Sequence, residues 1–364
     1  MEGKTWEREH PVKVFGWAAN DCSGVLSPFP FSRRKTGEAD VCLKVLFCGI
    51  CHTDIALATN KWGYSSFPLV PGHEIVGEVI EVGSKVKKFI PGDKVGVGYI
   101  VDACDSCDLC DGNQENYCSG IVPTIGGKYH DGTTTYGGFS NIMVADQRFV
   151  CRIPEGLPLD TAGPLMCAGI TVFSPLKHFG LDKPGMNLAV VGLGGLGHLA
   201  VKFGKAMGLL VTVVSSSANK KQEAIENLGA DAFIVSRNPD EMKSAKGKFD
   251  GIIDTVSAVH SVRELIELLK VNGKLVLVGA PAKPFELDAG MLINGRKTVA
   301  GTSVGSMKET QEMLEFAARH EVKPQVEIVP MNYLNTAMDR LLKGDVKYRF
   351  VIDVGNTIMQ TSTI

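Results

Sequence analysis

Directly after the apolar run Leu188–Val191, the chain places Gly192, Gly194 and Gly197 in a G-x-G-x-x-G pattern, with Gly195 and Leu196 inside the turn. A helical run follows to Met207, then a second apolar run, Val211–Val214. Glycines at these places let a backbone turn sharply out of a strand and approach a pyrophosphate, whose charge then meets a helix N-terminus. A glycine triplet alone is a weak signal. Between a strand and a helix it commits the chain to a βαβ unit that holds a dinucleotide. Strand and helix patterns keep alternating through Gly251–Asp254 and Lys274–Val278 as far as Gly301, which predicts an α/β region with a doubly wound parallel sheet, the Rossmann arrangement.

A site for NAD would place Asp or Glu about 20 residues beyond the turn, to accept hydrogen bonds from the adenosine ribose. Ser215, Ser216 and Ser217 stand there instead, followed by Lys220 and Lys221. Hydroxyls with a cation suit a 2′-phosphate, and no carboxylate repels it, so NADP(H) is the expected cofactor. A serine-rich turn before a solvated lysine pair is the plainer alternative.

At 364 residues the chain exceeds what one core organises, so two domains with a small-molecule cleft between them are expected. Short β-branched runs at Val41–Phe47, Glu74–Val82 and Lys94–Ile100 read as a β-rich domain. Beyond Gly301, a helix over 307–320, a helical stretch near 336–342 and a strand over 348–354 are expected to return to it. A net charge of -2 leaves no basic face for nucleic acid. The charged first ten residues lack a leader's apolar stretch, and no apolar run reaches about 18 residues. These features predict a soluble cytoplasmic protein with no membrane partner.

Ten cysteines in a reducing compartment point to metal. Cys104, Cys107, Cys110 and Cys118 follow C-x2-C-x2-C-x7-C, dense enough for four thiolates to reach one tetrahedral zinc. A closed four-thiolate site is structural. A second set is dispersed: Cys51 in Cys-Gly-Ile-Cys-His-Thr-Asp, His73 in Pro-Gly-His-Glu and Cys167 in Leu-Met-Cys-Ala-Gly. Two thiolates and one imidazole leave a fourth position open, as a catalytic zinc requires. Cys22, Cys42, Cys48 and Cys151 match neither pattern and read as structural.

In these motifs the chain resembles the zinc-dependent medium-chain alcohol dehydrogenases, and among them the plant cinnamyl-alcohol-dehydrogenase group, over nearly its whole length. The resemblance implies a GroES-like catalytic domain over 1–167 and 306–364 and an NADP(H)-binding domain over 168–305. It implies that Cys51, His73 and Cys167 hold the catalytic zinc, that Glu74 is an alternate ligand, and that Asp54 orients His73. It further implies that Thr53 holds the substrate oxygen, that His52, Thr171 and Arg349 touch the cofactor, and that the protein is a homodimer. Relatives continue a proton relay through a His three residues after this Thr, where this chain has Ala56. Pro123 stands where lignin-type members carry a Trp. Phe31–Arg34, Asp131–Gly138 and Lys347–Asp353 resemble the branch that reduces aldehydes and iminium ions of terpenoid and monoterpene indole alkaloid pathways. That branch gives the leading expectation. An NADP-dependent dehydrogenase of primary allylic alcohols, of the 8-hydroxygeraniol or cinnamyl-alcohol type, is the second, and a non-catalytic NADPH-binding protein is the third.

Overall fold

The computed structural model describes residues 10–281 and 283–358; the charged first nine residues fall outside them. The chain divides into two compact units, one reaching to Cys167 and taking back Ser306–Ala318 and the chain from Lys323 onward, the other formed by Ala168–Gly305 with Arg319–Val322.

The first unit is built from strands β1 (Val12–Ala19), β2 (Leu26–Arg33), β3 (Asp40–Ile50), β4 (Glu74–Val82), β5 (Lys94–Val97), β6 (Ile100–Asp102), β7 (Val122–Pro123), β8 (Ile142–Asp146) and β9 (Val150–Arg152). The second contributes β10 (Asn187–Val191), β11 (Leu210–Ser215), β12 (Ala232–Val235), β13 (Phe249–Asp254), β14 (Leu269–Leu277) and β15 (Thr298–Gly301), after which β16 (Val326–Pro330) and β17 (Arg349–Asp353) rejoin the first.

In the first unit β16-β17-β3-β4-β5-β9 form one sheet, with β8 added on β3. Strand β3 is its hub. The residues Val41, Leu43, Val45, Cys48 and Ile50 are all buried there, because a strand paired with β4, β8 and β17 must be apolar to be covered. The apolar run expected over 94–100 breaks into β5 and β6 at Gly98. Its hydrogen-only side passes the carbonyl of Met166 so closely that a Cβ would lie 2.8 Å from that oxygen. The break turns Tyr99 out of the ladder.

The second unit is an all-parallel sheet in the order β12-β11-β10-β13-β14-β15. After Asn187 its central strand β10 is apolar, as burial on both faces demands, with Leu188, Ala189, Val190 and Val191 all buried. The sheet confirms the doubly wound architecture. Strand order turns at β10 and β13, which places the glycine-rich turn at the carboxyl ends of the strands, where such sheets take ligands. No helix among the described residues is long and apolar enough to cross a membrane.

Candidate metal and cofactor sites

Strand β3 ends at Ile50, and Cys51 stands in extended conformation before the helix His52–Ala58. The Asp54 carboxylate closes this turn: Oδ2 accepts from the Cys51 amide at 2.7 Å, and Oδ1 accepts from the Gly72 amide at 2.8 Å. Oδ1 also lies 3.1 Å from Nδ1 of His73, so the ring is oriented by a fully buried carboxylate and its Nε2 is left for another partner. That Nε2 lies 3.2 Å from Sγ of Cys167, which follows the turn Gly163–Met166. Ligand atoms of Cys51, His73, Glu74 and Cys167 all lie within 4.8 Å of one another.

Electrostatics favour a cation among them. A hydrogen bond from Cys167 holds the Cys51 thiol well below its ordinary range, against burial, with help from Arg349 and His73. Burial opposes the charged imidazole, but Asp54 outweighs it and raises His73 to about 10. Glu74 is fully buried and accepts from Nη2 of Arg349 through Oε1, while its Oε2 has no hydrogen-bond partner. A buried, unpartnered carboxylate oxygen is rare and lacks what a metal ion would supply. Gly49, opposite Glu74 in the β3–β4 register, makes room for it, since a Cβ there would lie 2.0 Å from Oε2. The donor set, soft thiolates with an imidazole, suits zinc.

The other four cysteines form the second cluster, with Sγ separations of 3.3 Å (Cys104–Cys118), 3.7 Å (Cys107–Cys110 and Cys107–Cys118) and 3.9 Å (Cys104–Cys110). Zn–S bonds of about 2.3 Å at tetrahedral angles set S···S distances near 3.8 Å, so these thiols already stand on the corners of a zinc tetrahedron. Between Cys104 and Gly120 only Asn116 and Cys118 are buried. The lobe has no apolar core of its own. Of the remaining cysteines, Cys42, Cys48 and Cys151 are buried inside the first unit, but Cys22 is exposed in the β1–β2 turn.

In the second unit Gly192 adopts φ +86° and donates to the Val214 carbonyl at 2.9 Å. Gly197 begins the helix Gly197–Ala206, where a Cβ would lie 2.1 Å from the Gly192 carbonyl. On the side of Gly194 nothing stands within 4 Å, an open cradle beside the helix N-terminus. Beneath it His198, fully buried and held neutral by burial, meets the Gly194 carbonyl through Nδ1 at 3.0 Å. Ser215 is buried at the end of β11, its Oγ accepting from the Ser217 amide, while Ser216 and Lys220 are exposed. Lys220 folds back and donates to the Leu193 carbonyl at 2.8 Å, which ties the cation to the glycine turn.

Three residues escaped the sequence reading. Tyr99 stands edge-on to His73, 5.6 Å between ring centres at 86°. Thr255 donates through Oγ1 to the Val191 carbonyl at 2.8 Å, just before the glycine turn. Arg237 lies exposed two residues beyond Val235, the register partner of Ser215. Only Arg237 had a legible signal, a basic residue just past the third parallel strand. Arg349, expected to touch the cofactor, is buried on β17 against Glu74, and its Nε has no partner.

Two family models match: the alcohol dehydrogenase GroES-like domain over residues 37–155 and the zinc-binding dehydrogenase over residues 195–319. Among curated proteins the chain is 63% identical to cinnamyl alcohol dehydrogenase 2 of Rauvolfia serpentina and 63% identical to 8-hydroxygeraniol dehydrogenase of Catharanthus roseus, each over 98% of this chain and 99% of the relative. It is 62% identical to vomilenine reductase of Rauvolfia serpentina, over 97% of this chain and 98% of that protein. A cinnamyl alcohol dehydrogenase structure from Sorghum bicolor superposes with a TM-score of 0.93 at 55% identity, over 95% of this chain and 98% of its own. The CAD from Helicobacter pylori, solved with NADP(H), does so with 0.88 at 37% identity, over 95% and 99%. Identity of this depth, running from the cysteine-bearing strands through the glycine turn, makes the chain a member of the zinc-dependent medium-chain alcohol dehydrogenase family, in its plant cinnamyl-alcohol-dehydrogenase-like group.

Proposed function

We propose that this alcohol dehydrogenase/reductase uses NADPH to reduce activated aldehydes or iminium ions of terpenoid or monoterpene indole alkaloid intermediates. The observation that carries the reading is the helix His52–Ala58, which presents Thr53 beside Cys51 and, three residues on, where the family resemblance puts a relay histidine, offers only the methyl group of a buried Ala56. The names of the Catharanthus and Rauvolfia relatives support the substrate class, and the Helicobacter structure supports NADP(H).

In this reading residues up to 167 and from 306 form the catalytic domain and residues 168–305 the cofactor domain. Cys51, His73 and Cys167 would hold the catalytic zinc, with Glu74 as alternate ligand, and the four-cysteine lobe a structural zinc. Bound zinc would supply a Lewis acid and NADPH the hydride. The Thr53 hydroxyl holds the substrate oxygen and passes its proton. Asp54 keeps Nε2 of His73 directed at the cluster, and Arg349 restrains Glu74. Gly192, Gly194, Gly195, Leu196 and Gly197 would cradle the pyrophosphate, with His52 and Thr171 as further contacts. Ser215, Ser216, Ser217 and Lys220, joined by Arg237, would take the 2′-phosphate.

Reduction of an aldehyde leaves an alkoxide that needs a proton, whereas reduction of an iminium ion neutralises a cation and needs none. With Ala56 in the relay position, proton delivery is the weak step for aldehydes. Ala56→His should therefore speed single-turnover aldehyde reduction, by up to about a hundredfold, the lower end of what general acid–base catalysis contributes, and leave iminium reduction unchanged. Equal acceleration of both substrates, or of neither, contradicts the reading. Oxidation of 8-hydroxygeraniol-type alcohols runs through the same residues, and comparison of forward and reverse rates decides between them.

The cofactor assignment makes its own prediction. Ser215→Asp sets a carboxylate against a 2′-phosphate carrying nearly two negative charges and gives NADH a partner for its free ribose hydroxyls. The lost contact and the new repulsion are each worth about 1–3 kcal/mol, so the kcat/KM ratio should move toward NADH by at least about tenfold. A wild type that already favours NADH, or an unmoved ratio, would falsify the assignment.

We also infer a homodimer formed through β15. Among the described residues this strand has a ladder partner on one side only, and Ile293 and Leu287 stand exposed on the segment before it. Sedimentation at a single-subunit mass rules this out. Ten cysteines, none joined in a disulfide, suit a reducing cytoplasm, where we place the protein; recovery from an organelle lumen would contradict that.

A further inference from the structure

Side chains fix three carbonyls at the glycine turn. Thr255 donates to that of Val191 at 2.8 Å, Lys220 to that of Leu193 at 2.8 Å, and Nδ1 of His198 lies 3.0 Å from that of Gly194. The Gly194 carbonyl is doubly held, since the His198 amide also donates to it, at 3.1 Å. A planar trans peptide points its N–H opposite its carbonyl. Fixing the Leu193 and Gly194 carbonyls therefore aims the amides of Gly194 and Gly195 away from Lys220 and His198. Among the described residues neither amide has an acceptor, and nothing stands within 4 Å of the place that a Gly194 side chain would take.

His198 is a costly residue for this place. Its ring is fully buried in the first turn of the helix Gly197–Ala206, where an apolar side chain would fill the space without stripping water from two ring nitrogens. Burial pulls the imidazole down to about 3 and the nearby Lys202 adds to this, although the Gly194 and Gly195 carbonyls favour the proton. The ring is therefore neutral, and because a carbonyl can only accept, its proton sits on Nδ1. A neutral ring places no positive charge under the turn. What His198 contributes there is geometric.

We propose that His198 is a positioning residue for the cofactor: by holding the Gly194 carbonyl, it presents the Gly195 amide already aligned to a pyrophosphate oxygen. The inference rests on reading the glycine turn as the cofactor site. Two consecutive glycines leave the peptide between them free to rotate, and ordering it during binding would weaken affinity. With His198 in place the peptide is ordered before the cofactor arrives.

The test measures dissociation constants on the zinc-loaded full chain, for NADPH by its fluorescence and for adenosine 2′-monophosphate by calorimetry. The second ligand shares the 2′-phosphate but lacks the pyrophosphate. Asn sets its amide nitrogen where Nδ1 stands, so His198→Asn should keep the NADPH constant within about twofold of wild type. His198→Leu and His198→Gln place no donor there, and each should raise it about tenfold, the scale of one lost buried hydrogen bond. Adenosine 2′-monophosphate should bind all four proteins alike. The NADPH ratio of variant to wild type should also stay flat from about pH 6 to 9, because a neutral imidazole has no charge to lose there. Equal weakening for both ligands, an Asn variant as weak as Leu, or a ratio that grows as pH falls overturns the proposal. Should the Leu and Gln variants not fold, the Asn variant decides it by the same limit. Unchanged NADPH binding in all variants overturns this proposal alone, whereas a wild type that binds neither NADPH nor NADH overturns the cofactor reading and this proposal with it.

Discussion

Cys167→Ser is expected to give a folded protein that has lost about a thousandfold in kcat/KM for aldehyde reduction, along with one zinc per chain. The substitution changes one atom at the end of a turn, and Ser fills nearly the same space, so the fold should survive. What changes is the donor set. The thiol stands 3.2 Å from Nε2 of His73 and supports the ionised form of Cys51. With a hydroxyl there, two good ligands remain, and Glu74 is already engaged by Arg349. Lewis-acid assistance to a carbonyl contributes several kcal/mol to the barrier, and each 1.4 kcal/mol is a factor of ten. Zinc analysis and steady-state kinetics on the same preparation make the measurement. A variant that keeps both zinc ions, or more than a tenth of the wild-type kcat/KM, would show that this cysteine is not a ligand. Iminium substrates should lose less, because their carbon is already electrophilic.

Cys107→Ser should do the opposite: remove the other zinc and take the structure with it. The lobe between Cys104 and Gly120 buries Asn116 and Cys118 and nothing else, so no apolar contact can replace the metal. Structural zinc contributes about 10–16 kcal/mol of apparent binding energy in small zinc domains, comparable with the whole stability of a typical domain. The lobe also anchors a distant segment, since Glu115 accepts from the Met307 amide at 2.5 Å at the start of the helix Met307–Arg319. Loss of the site should therefore expose the Cys104–Cys118 stretch to proteolysis, and lower the melting temperature by more than 10 °C or drive aggregation. A variant with one zinc, native melting and native protease resistance would refute the structural role.

The glycine turn was legible because strand, turn and helix are contiguous, and the structure places β10, Gly192 and the helix Gly197–Ala206 where the pattern put them. The four-cysteine lobe was legible for the same reason, with all its cysteines inside fifteen residues. The dispersed cluster was not legible from spacing alone. Cys51 and His73 meet because β3 and β4 pair with Gly49 opposite Glu74, and Cys167 joins them because the turn Gly163–Met166 packs against that pair at Gly163, neither of which periodicity reveals. Tyr99 stayed hidden because it lies in a run that reads as one strand, and the break at Gly98 depends on the carbonyl of Met166, far along the chain. The Arg349–Glu74 pair spans 275 residues, and local pattern carries no signal at that distance.

That last separation also sets an order of assembly on the ribosome. Every side chain of the dispersed cluster has been synthesised once Cys167 is added, but β3 still lacks β17, and Glu74 still lacks its cation. All of residues 168–305 must be synthesised first, and they form a parallel sheet whose strands need nothing from the tail. The inserted unit can therefore finish folding while its host is still incomplete, and release of the last few dozen residues closes the older half of the molecule. A nascent chain stalled before Arg349 would carry a complete glycine turn beside an open, half-compensated metal cluster.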